Sequence, residues 1–456
     1  MIWSYKKLSA IATCSLLLSP LLHAENITTL PADIAILPPQ AKHLWQFQLT
    51  HKKTRKMSAQ QLGNQTSKND KYELFDASCA ASAKVCTVIA GTNVGLSGES
   101  RLISYNTIDG GKHWSQPTTL TSPQSVGLYY ARLFCDKQSG KNCSLTAYYG
   151  DINDFKKTID VFFSTNDSGK AWANGTARTN HIQKLVCSDD VTNCFGTKFD
   201  GTTYIPVQSF SSGFSWQPIT MLNNDKKNNP EALYNLATAC NSAFDHCVGL
   251  DPSADISYEN GVWNIKNIVD VFTKEGYSTY NRQQKKINFS EADGEVLNHL
   301  VSDGICDRAT GLYCIFMVSI PSTPSTEFSQ FSLITTDGGI TWSWSPNALK
   351  KSTSSFSYNP ESLSCDNQAQ HCTLLETRLD QPYKTVSCTT DDGGITWSTP
   401  MIVSSVTEDS FGIKVQCSEN GQNCIAFSDT VYIKNKLYFN TSSDGGKTWN
   451  PSQTIN

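Results

Sequence analysis

The residues best suited to chemistry in this chain are carboxylates in polar, turn-rich segments: Asp151, Asp154, Glu231, Glu376, Asp380, Glu408 and Asp409. Two carboxylates about 5 to 10 Å apart can serve as general acid and base, or acid and nucleophile, on a glycosidic bond. The densest polar cluster is Glu376-x-Arg378-x-Asp380. Alternation along an extended strand would also put its three side chains on one side as an ion-pair ladder. Tyr149 and Tyr383 are candidates to stack on a ligand, and Arg178 to hold its carboxylate by bidentate hydrogen bonding. Serine-nucleophile chemistry has no support, because no Gly-x-Ser-x-Gly elbow occurs and the eight histidines are scattered. The same scatter gives no metal site, and no motif calls for a cofactor.

Cysteine is the other reactive type, with sixteen in the chain. Fourteen form close pairs: Cys79/Cys86, Cys135/Cys143, Cys187/Cys194, Cys240/Cys247, Cys306/Cys314, Cys365/Cys372 and Cys417/Cys424. None is Cys-x-x-Cys, and the spacing is not that of a zinc site. The N-terminus has Lys6 and Lys7, an apolar run from Leu8 to Leu22, and Leu22-His23-Ala24 before Glu25. That layout is a secretory signal cleaved after Ala24. In an oxidising compartment the pairs read as local disulfides. Each closes a short loop worth about 2.5 kcal/mol in the chain-entropy model. Cys14 leaves with the signal, and Cys388 remains as the odd cysteine, read as a buried free thiol ahead of an intermolecular bridge.

The pairs recur with a regular period, so one supersecondary unit is written seven times. A β-type run leads into each first cysteine, a polar turn follows, and the second cysteine opens another run. A third run leads to a turn of the form Ser/Thr-x-Asp-x-Gly-x-x-Trp, and a fourth begins at its Trp. This is a four-stranded antiparallel meander with staple and Asp turn at the same end. Five turns are clean, centred on Asp109, Asp167, Asp337, Asp392 and Asp444; in a sixth Ser211 replaces the Asp, and the fourth repeat keeps a relic from Tyr258 to Trp263. In such a turn the Asp accepts backbone N–H groups, Gly supplies positive φ, and Trp buries a large apolar face.

These turns resemble the Asp-box, or BNR, repeats first described in bacterial sialidases, over residues 71 to 456. The resemblance implies a β-propeller in which the Asp residues are structural and remote from any active site. The fold expected is all-β: a seven-bladed propeller of four-stranded antiparallel blades, each with a Cys-stapled hairpin and, mostly, an Asp-box turn. The domains expected are a signal at 1–24, an extension at 25–70 with a possible ring-closing strand over 43–49, and the propeller at 71–456. Functional residues then belong to loops on the face away from the staples, among them the connections at 223–231 and 273–298. The sialidases use three arginines, the first in an Arg-Ile-Pro type motif, and that motif is absent here.

A net charge of −4 and a pI near 6.1 argue against nucleic acid, and no stretch past the signal is long and apolar enough to span a bilayer. The favoured reading is a monomeric, periplasmic or secreted module that recognises a glycan or an extracytoplasmic protein without catalysis. The second is a sialidase-like glycoside hydrolase using loop carboxylates. The third is an assembly factor resembling the seven-bladed Asp-box proteins that help build photosystem complexes.

Overall fold

The computed structural model describes residues 72–92, 100–120, 127–151, 154–178, 182–199, 204–213, 215–219, 221–223, 237–259, 262–275, 279–286, 300–321, 328–345, 358–378, 383–406, 409–430 and 436–455. All fall in the second of two compact units, Thr50–Asn456. The expected signal and N-terminal extension lie outside the described residues.

Seven sheets follow one another along the chain. In the first, Tyr72–Cys79, Cys86–Thr92, Arg101–Thr107 and Thr118–Thr119 pair in sequence order. Cys79 lies opposite Cys86, and Cys86 opposite Thr107. Staple and Asp turn therefore share one end of the sheet.

All seven cysteine pairs are disulfides, and Cys388 is the free cysteine among the described residues. The pairs flank polar turns, yet every second cysteine is buried, while Cys187, Cys240, Cys365 and Cys417 are half-buried. Cys79 and Cys194 are 1 % exposed, and Cys86 and Cys314 are wholly buried. The reason is that each second cysteine already belongs to the second strand, as Cys194 does in Cys194–Phe199 and Cys314 in Cys314–Pro321. Neighbouring blades cover that strand, so Cys306 and Cys314 pack in the core shared by repeats four and five. These half-cystines are core residues as well as cross-links, and none is placed to meet a ligand.

Six of the sheets are four-stranded antiparallel blades, where seven were expected. The fourth repeat builds a five-stranded sheet instead. Its hairpin His246–Glu259 and Val262–Glu275 has strands of fourteen residues, against six to nine for the second strands of the other sheets. The strand Met221–Asn223 joins its far edge in parallel with Thr279–Lys286. Two expectations are corrected here. The supposed relic turn, Tyr258 to Trp263, spans the tip of this long hairpin and lies opposite the staple, because Glu259 pairs with Val262 while Cys247 pairs with Lys274. The connection read over 273–298 contains strand as far as Lys286. The fourth strands are also shorter than expected: those of repeats one, six and seven start four residues after the Trp and span two residues.

The first strands of successive sheets contact one another in a closed cycle, with Tyr72–Cys79 touching both Gly127–Cys135 and Phe411–Cys417. They are the innermost strands, and the cores lie between neighbouring sheets. Leu74, Val88 and Tyr105 of repeat one pack with Ile425, Phe427 and Phe439 of repeat seven. Repeats four and five share Val248, Leu250, Phe316 and Leu333. A central strand covered on both faces should be buried throughout rather than on alternate residues. Cys424–Asp429 is so buried throughout, and Cys372–Arg378 as far as Thr377, polar side chains included.

Candidate functional site

The Asp turns are built alike. In the first, Thr107 Oγ1 accepts from Gly111 N at 3.0 Å and donates to Asp109 Oδ1 at 2.9 Å, while Asp109 Oδ1 accepts from His113 N at 3.0 Å. Ser211 does the same work with a hydroxyl, accepting from Ser215 N at 2.9 Å. The N–H of His113, followed by the His113 ring and Thr107, holds the Asp109 carboxyl down at about 2. At Asp167, Asp337, Asp392 and Asp444 burial pushes upward, but the turn's donors prevail and lower the carboxyl. The tryptophans reach the preceding blade: Trp172, Trp397 and Trp449 donate Nε1–H to Ser104, Ser332 and Ser387. The carboxylates fasten turns, and the tryptophans tie sheet to sheet.

The candidate site residues are dispersed. Tyr149, expected in a loop, lies within Cys143–Asp151, 1 % exposed, in the core between repeats one and two. Glu376, also expected in a loop, lies within Cys372–Arg378 and is wholly buried, with Oε2 3.9 Å from Cys388 Sγ. Burial, followed by this carboxylate, raises the thiol well above its ordinary value. Arg378, Tyr383 and Asp409 come together at the end of sheet six away from its staple. There Tyr383 N donates to Asp409 Oδ1 at 2.8 Å, and its ring lies 5.2 Å from Phe411. Asp151 and Asp154 are Cα partners at one hairpin tip, and Arg178 pairs with Asp160. The side chains of Asp151, Asp154 and Arg178, like Glu231, Asp380 and Glu408 as a whole, lie outside the described set. No group of three metal-ligating side chains occurs among the described residues.

A different set of residues meets at the axis. The residue two places after each first cysteine belongs to a ring of backbone hydrogen bonds at the stapled end. Ala81 N donates to Lys137 O, Lys137 N to Asp189 O, Ser242 N to Arg308 O, Arg308 N to Asn367 O, Asn367 N to Glu419 O, and Glu419 N back to Ala81 O, all at 2.7–2.9 Å. Side chains cross this ring. Arg308 donates Nε–H to Asp189 Oδ2 at 3.1 Å, and Nη1–H to Asn367 Oδ1 at 2.9 Å and Glu419 Oε1 at 3.0 Å. Lys137 Nζ donates to Cys79 O at 3.2 Å and Gln416 Oε1 at 3.0 Å. Together they bridge repeats one, two, three, five, six and seven across the stapled mouth.

Below the ring, each innermost strand turns an unpaired backbone edge to the axis, and its N–H groups need acceptors. The neighbours supply them. Asp76 Oδ2 accepts from Leu133 N at 3.0 Å, Ser78 Oγ from Cys135 N at 2.9 Å, and Ser364 Oγ from Cys417 N at 2.8 Å. Asp76, 2 % exposed, also lies 3.9 Å from Arg132 Nη1 and 4.0 Å from Lys414 Nζ. Arg132 donates Nε–H to Tyr130 OH at 2.7 Å and sits over its ring, 5.3 Å from the centroid. Burial raises the Tyr130 hydroxyl, with Arg132 opposing. Lys137 is pulled down to about 8, first by burial, with Arg308 and Lys414 adding to the pull and Asp189 and Asp76 opposing it. Sequence reasoning missed this belt. The available signal was register: Asp76, Arg132 and Lys414 stand three places before a first cysteine, and Lys137, Asp189, Arg308 and Glu419 two places after one.

A closed cycle of sheets with cores between them is a β-propeller. The chain matches no family model and no curated protein. Solved structures of similar architecture include the β-propeller domain of the trilobed protease from Pyrococcus furiosus, at 8 % identity and TM-score 0.46, covering 85 % of this chain and 98 % of that one. An ulvan lyase, a polysaccharide lyase, aligns at 10 % identity and TM-score 0.45, over 84 % and 96 % of the two chains. The Aleuria aurantia lectin aligns at 10 % identity and TM-score 0.39, over 85 % and 95 %. At such identities the likeness concerns architecture alone.

Proposed function

We propose that this chain is an exported Asp-box β-propeller, periplasmic or secreted, that recognises a glycan or an extracytoplasmic protein through the face opposite its disulfides and does not turn its ligand over. Seven staples suit an oxidising compartment, and no helix among the described residues is long and apolar enough to cross a membrane. The observation that carries the reading is the use made of the axial carboxylates. Asp76 accepts an edge N–H, and Asp189 and Glu419 hold Arg308 across the stapled mouth. Groups so committed are poor general acids, and a mouth crossed by such bonds directs ligands to the other face. The test is to screen residues 25–456 on a glycan array and against fluorogenic glycosides, sialosides included. Binding without turnover supports recognition, and turnover refutes it.

One observation favours hydrolysis as a second reading. Asp151 and Asp154 are Cα partners at one hairpin tip, and a pair of neighbouring carboxylates is the residue type that glycosidases use. Turnover lost in both Asp151→Asn and Asp154→Asn would establish it. The assembly-factor reading is not carried forward, because it leaned on seven like blades and six are four-stranded.

A further inference from the structure

We propose that the stapled face of the propeller is a self-association surface. A second copy of this chain docks on it about a two-fold axis, with repeats one and two of each copy against repeats six and five of the other. The inference goes beyond the recognition reading and replaces the monomer expected from sequence.

The first observation is apolar. Five of the eight exposed large apolar side chains among the described residues stand on staple or Asp turns: Ile108, Phe210, Leu312, Ile340 and Ile395. Three of them form one strip over the seam between repeats five and six. Gly338 N, two residues before Ile340, donates to Leu312 O at 2.9 Å. Tyr313 OH, beside Leu312, donates to Gly393 O at 2.8 Å, two residues before Ile395. Ile340 is 63 % exposed, Leu312 43 % and Ile395 57 %. At the register of Ile340 and Ile395, repeats one, two and seven carry Lys112, Lys170 and Lys447 instead. A turn position that accepts lysine needs no apolar side chain for folding, and clustered exposed aliphatic groups mark a contact surface.

The second observation is charge. The staple and Asp turns of repeats five and six carry Asp307, Asp337, Asp366, Asp391 and Asp392 against Arg308, whose guanidinium is taken by Asp189 and Glu419. Those of repeats one and two carry Lys84, Lys112, Lys137, Lys141 and Lys170 against Asp109, Asp136 and Asp167. Burial pushes Asp307, Asp337 and Asp392 upward, but the turn donors prevail, and Lys447 followed by His371 lowers Asp391. These carboxyls are anionic at neutral pH. Repeat seven separates the two sectors on one side of the closed cycle, and repeats three and four on the other. A two-fold axis through repeat seven therefore lays lysine sector on aspartate sector twice, the reciprocal contact of an isologous dimer. Beyond the pair held by Arg308, the turns of repeats three, four and seven add Asp190, Asp245 and Asp444 against Lys447 among the described side chains. That is less charge than the two opposed contacts bring together.

The Asp turns of repeats one and six are reciprocal at two exposed positions. Repeat one has Ile108 before the Asp and Lys112 after it, whereas repeat six has Asp391 before and Ile395 after. Laid head to head in opposite directions, they bring Ile108 to Ile395 and Lys112 to Asp391. Four blade ends per copy, each about 15–20 Å across its strands and about 10 Å from the next, offer roughly 600–800 Å², close to one side of a standard interface. Both open faces then point outward and remain available to ligands.

The test is sedimentation velocity of residues 25–456, disulfides intact, over a series from micromolar to hundreds of micromolar. A reversible dimer that weakens as salt is raised is expected. Ile395→Lys, which installs the residue type of repeats one, two and seven, should weaken it about tenfold or more. Lys112→Glu and Asp391→Lys should each weaken it comparably. The two together in one chain should restore the dimer, because the charges exchange places. A parent monomeric throughout the series, a folded Ile395→Lys that dimerises as the parent does, or a double variant no better than the single ones overturns the proposal. Glycan binding by a monomeric parent would then leave the recognition reading standing.

Discussion

Replacing Asp76 by Ala should destabilise the propeller by about 3–5 kcal/mol, the range for removing one partner of a buried ion pair. The carboxylate is 2 % exposed and accepts the Leu133 N–H at 3.0 Å across the seam between repeats one and two. A hydrogen bond to a charged acceptor contributes about 1.5–3 kcal/mol, and the amide left without it loses a further part of its solvation. Lys414, at 4.0 Å and 19 % exposed, would lose its counter-charge, an interaction of up to about 4 kcal/mol at an effective dielectric of 20. Arg132, 41 % exposed, contributes much less because water screens it. These contributions overlap, which keeps the total within the stated range. Asp76→Asn retains an acceptor for Leu133 and loses only the charge, so about 1–2 kcal/mol is expected. Urea denaturation with disulfides intact, followed by tryptophan fluorescence, reads both variants through the midpoint at constant slope. The combination with Lys414→Met is decisive. Removing the orphaned cation should recover part of the loss, so the double variant should be more stable than the sum of single effects predicts by about 1 kcal/mol or more. An Asp76→Ala protein within about 1 kcal/mol of the parent, or a strictly additive double variant, would refute the reasoning.

Three further outcomes test other parts of the structure. Gly111→Ala places a methyl 2.6 Å from the Phe439 ring at φ +90°, whereas Gly110→Ala, at φ +74°, meets nothing nearer than 3.9 Å. By urea midpoint the first should cost about 2–4 kcal/mol and the second about 1 kcal/mol. Alkylation of residues 25–456 without reductant should modify Cys388 alone, and only after denaturation, because the thiol is wholly buried and the other described cysteines are bridged; mass analysis of native and unfolded samples reads both. Lys137 carries a folded-state value near 8 against 10.5 unfolded, so between these the unfolded chain holds the extra proton and stability rises with pH. The raised Cys388 and Tyr105 groups lower stability over the same window in both proteins, so the reading is the difference: urea midpoints of the parent minus Lys137→Met should rise by about 1–3 kcal/mol across it.

What could be read from the chain follows the range of the interactions involved. The staples and Asp turns are local: Cys79 meets Cys86 across one hairpin, and Thr107, Asp109 and Gly111 complete a turn within a few residues. Spacing alone expresses that pairing. It does not express burial, which for Cys314 comes from the blade next door rather than from the turn beside it. Tyr149 and Glu376 were misplaced because a loop was assumed where a central strand runs on, and nothing nearby marks where Cys143–Asp151 or Cys372–Arg378 stops. The fourth repeat misled for a related reason. Its hairpin is long enough to carry Val262 and Trp263 to the end opposite the staple, so similar letters serve a different place in the sheet.

The axial belt was hidden by topology. Asp76 is an acceptor only because the next blade sets the open edge of Gly127–Cys135 against it, and it meets Lys414 only because the last repeat returns beside the first. The backbone link from Glu419 to Ala81 joins the two ends of the propeller sequence and is still the same link made between neighbouring repeats. Ring closure thus turns a fixed offset from each first cysteine into one shared surface. In a repeat fold of this kind, chemistry is better sought by aligning repeats and comparing the residue types at each register than by searching the irregular loops. At three places before and two after the first cysteine, that comparison separates Asp76, Arg132, Lys137, Arg308 and Lys414 from residues that merely build the blade.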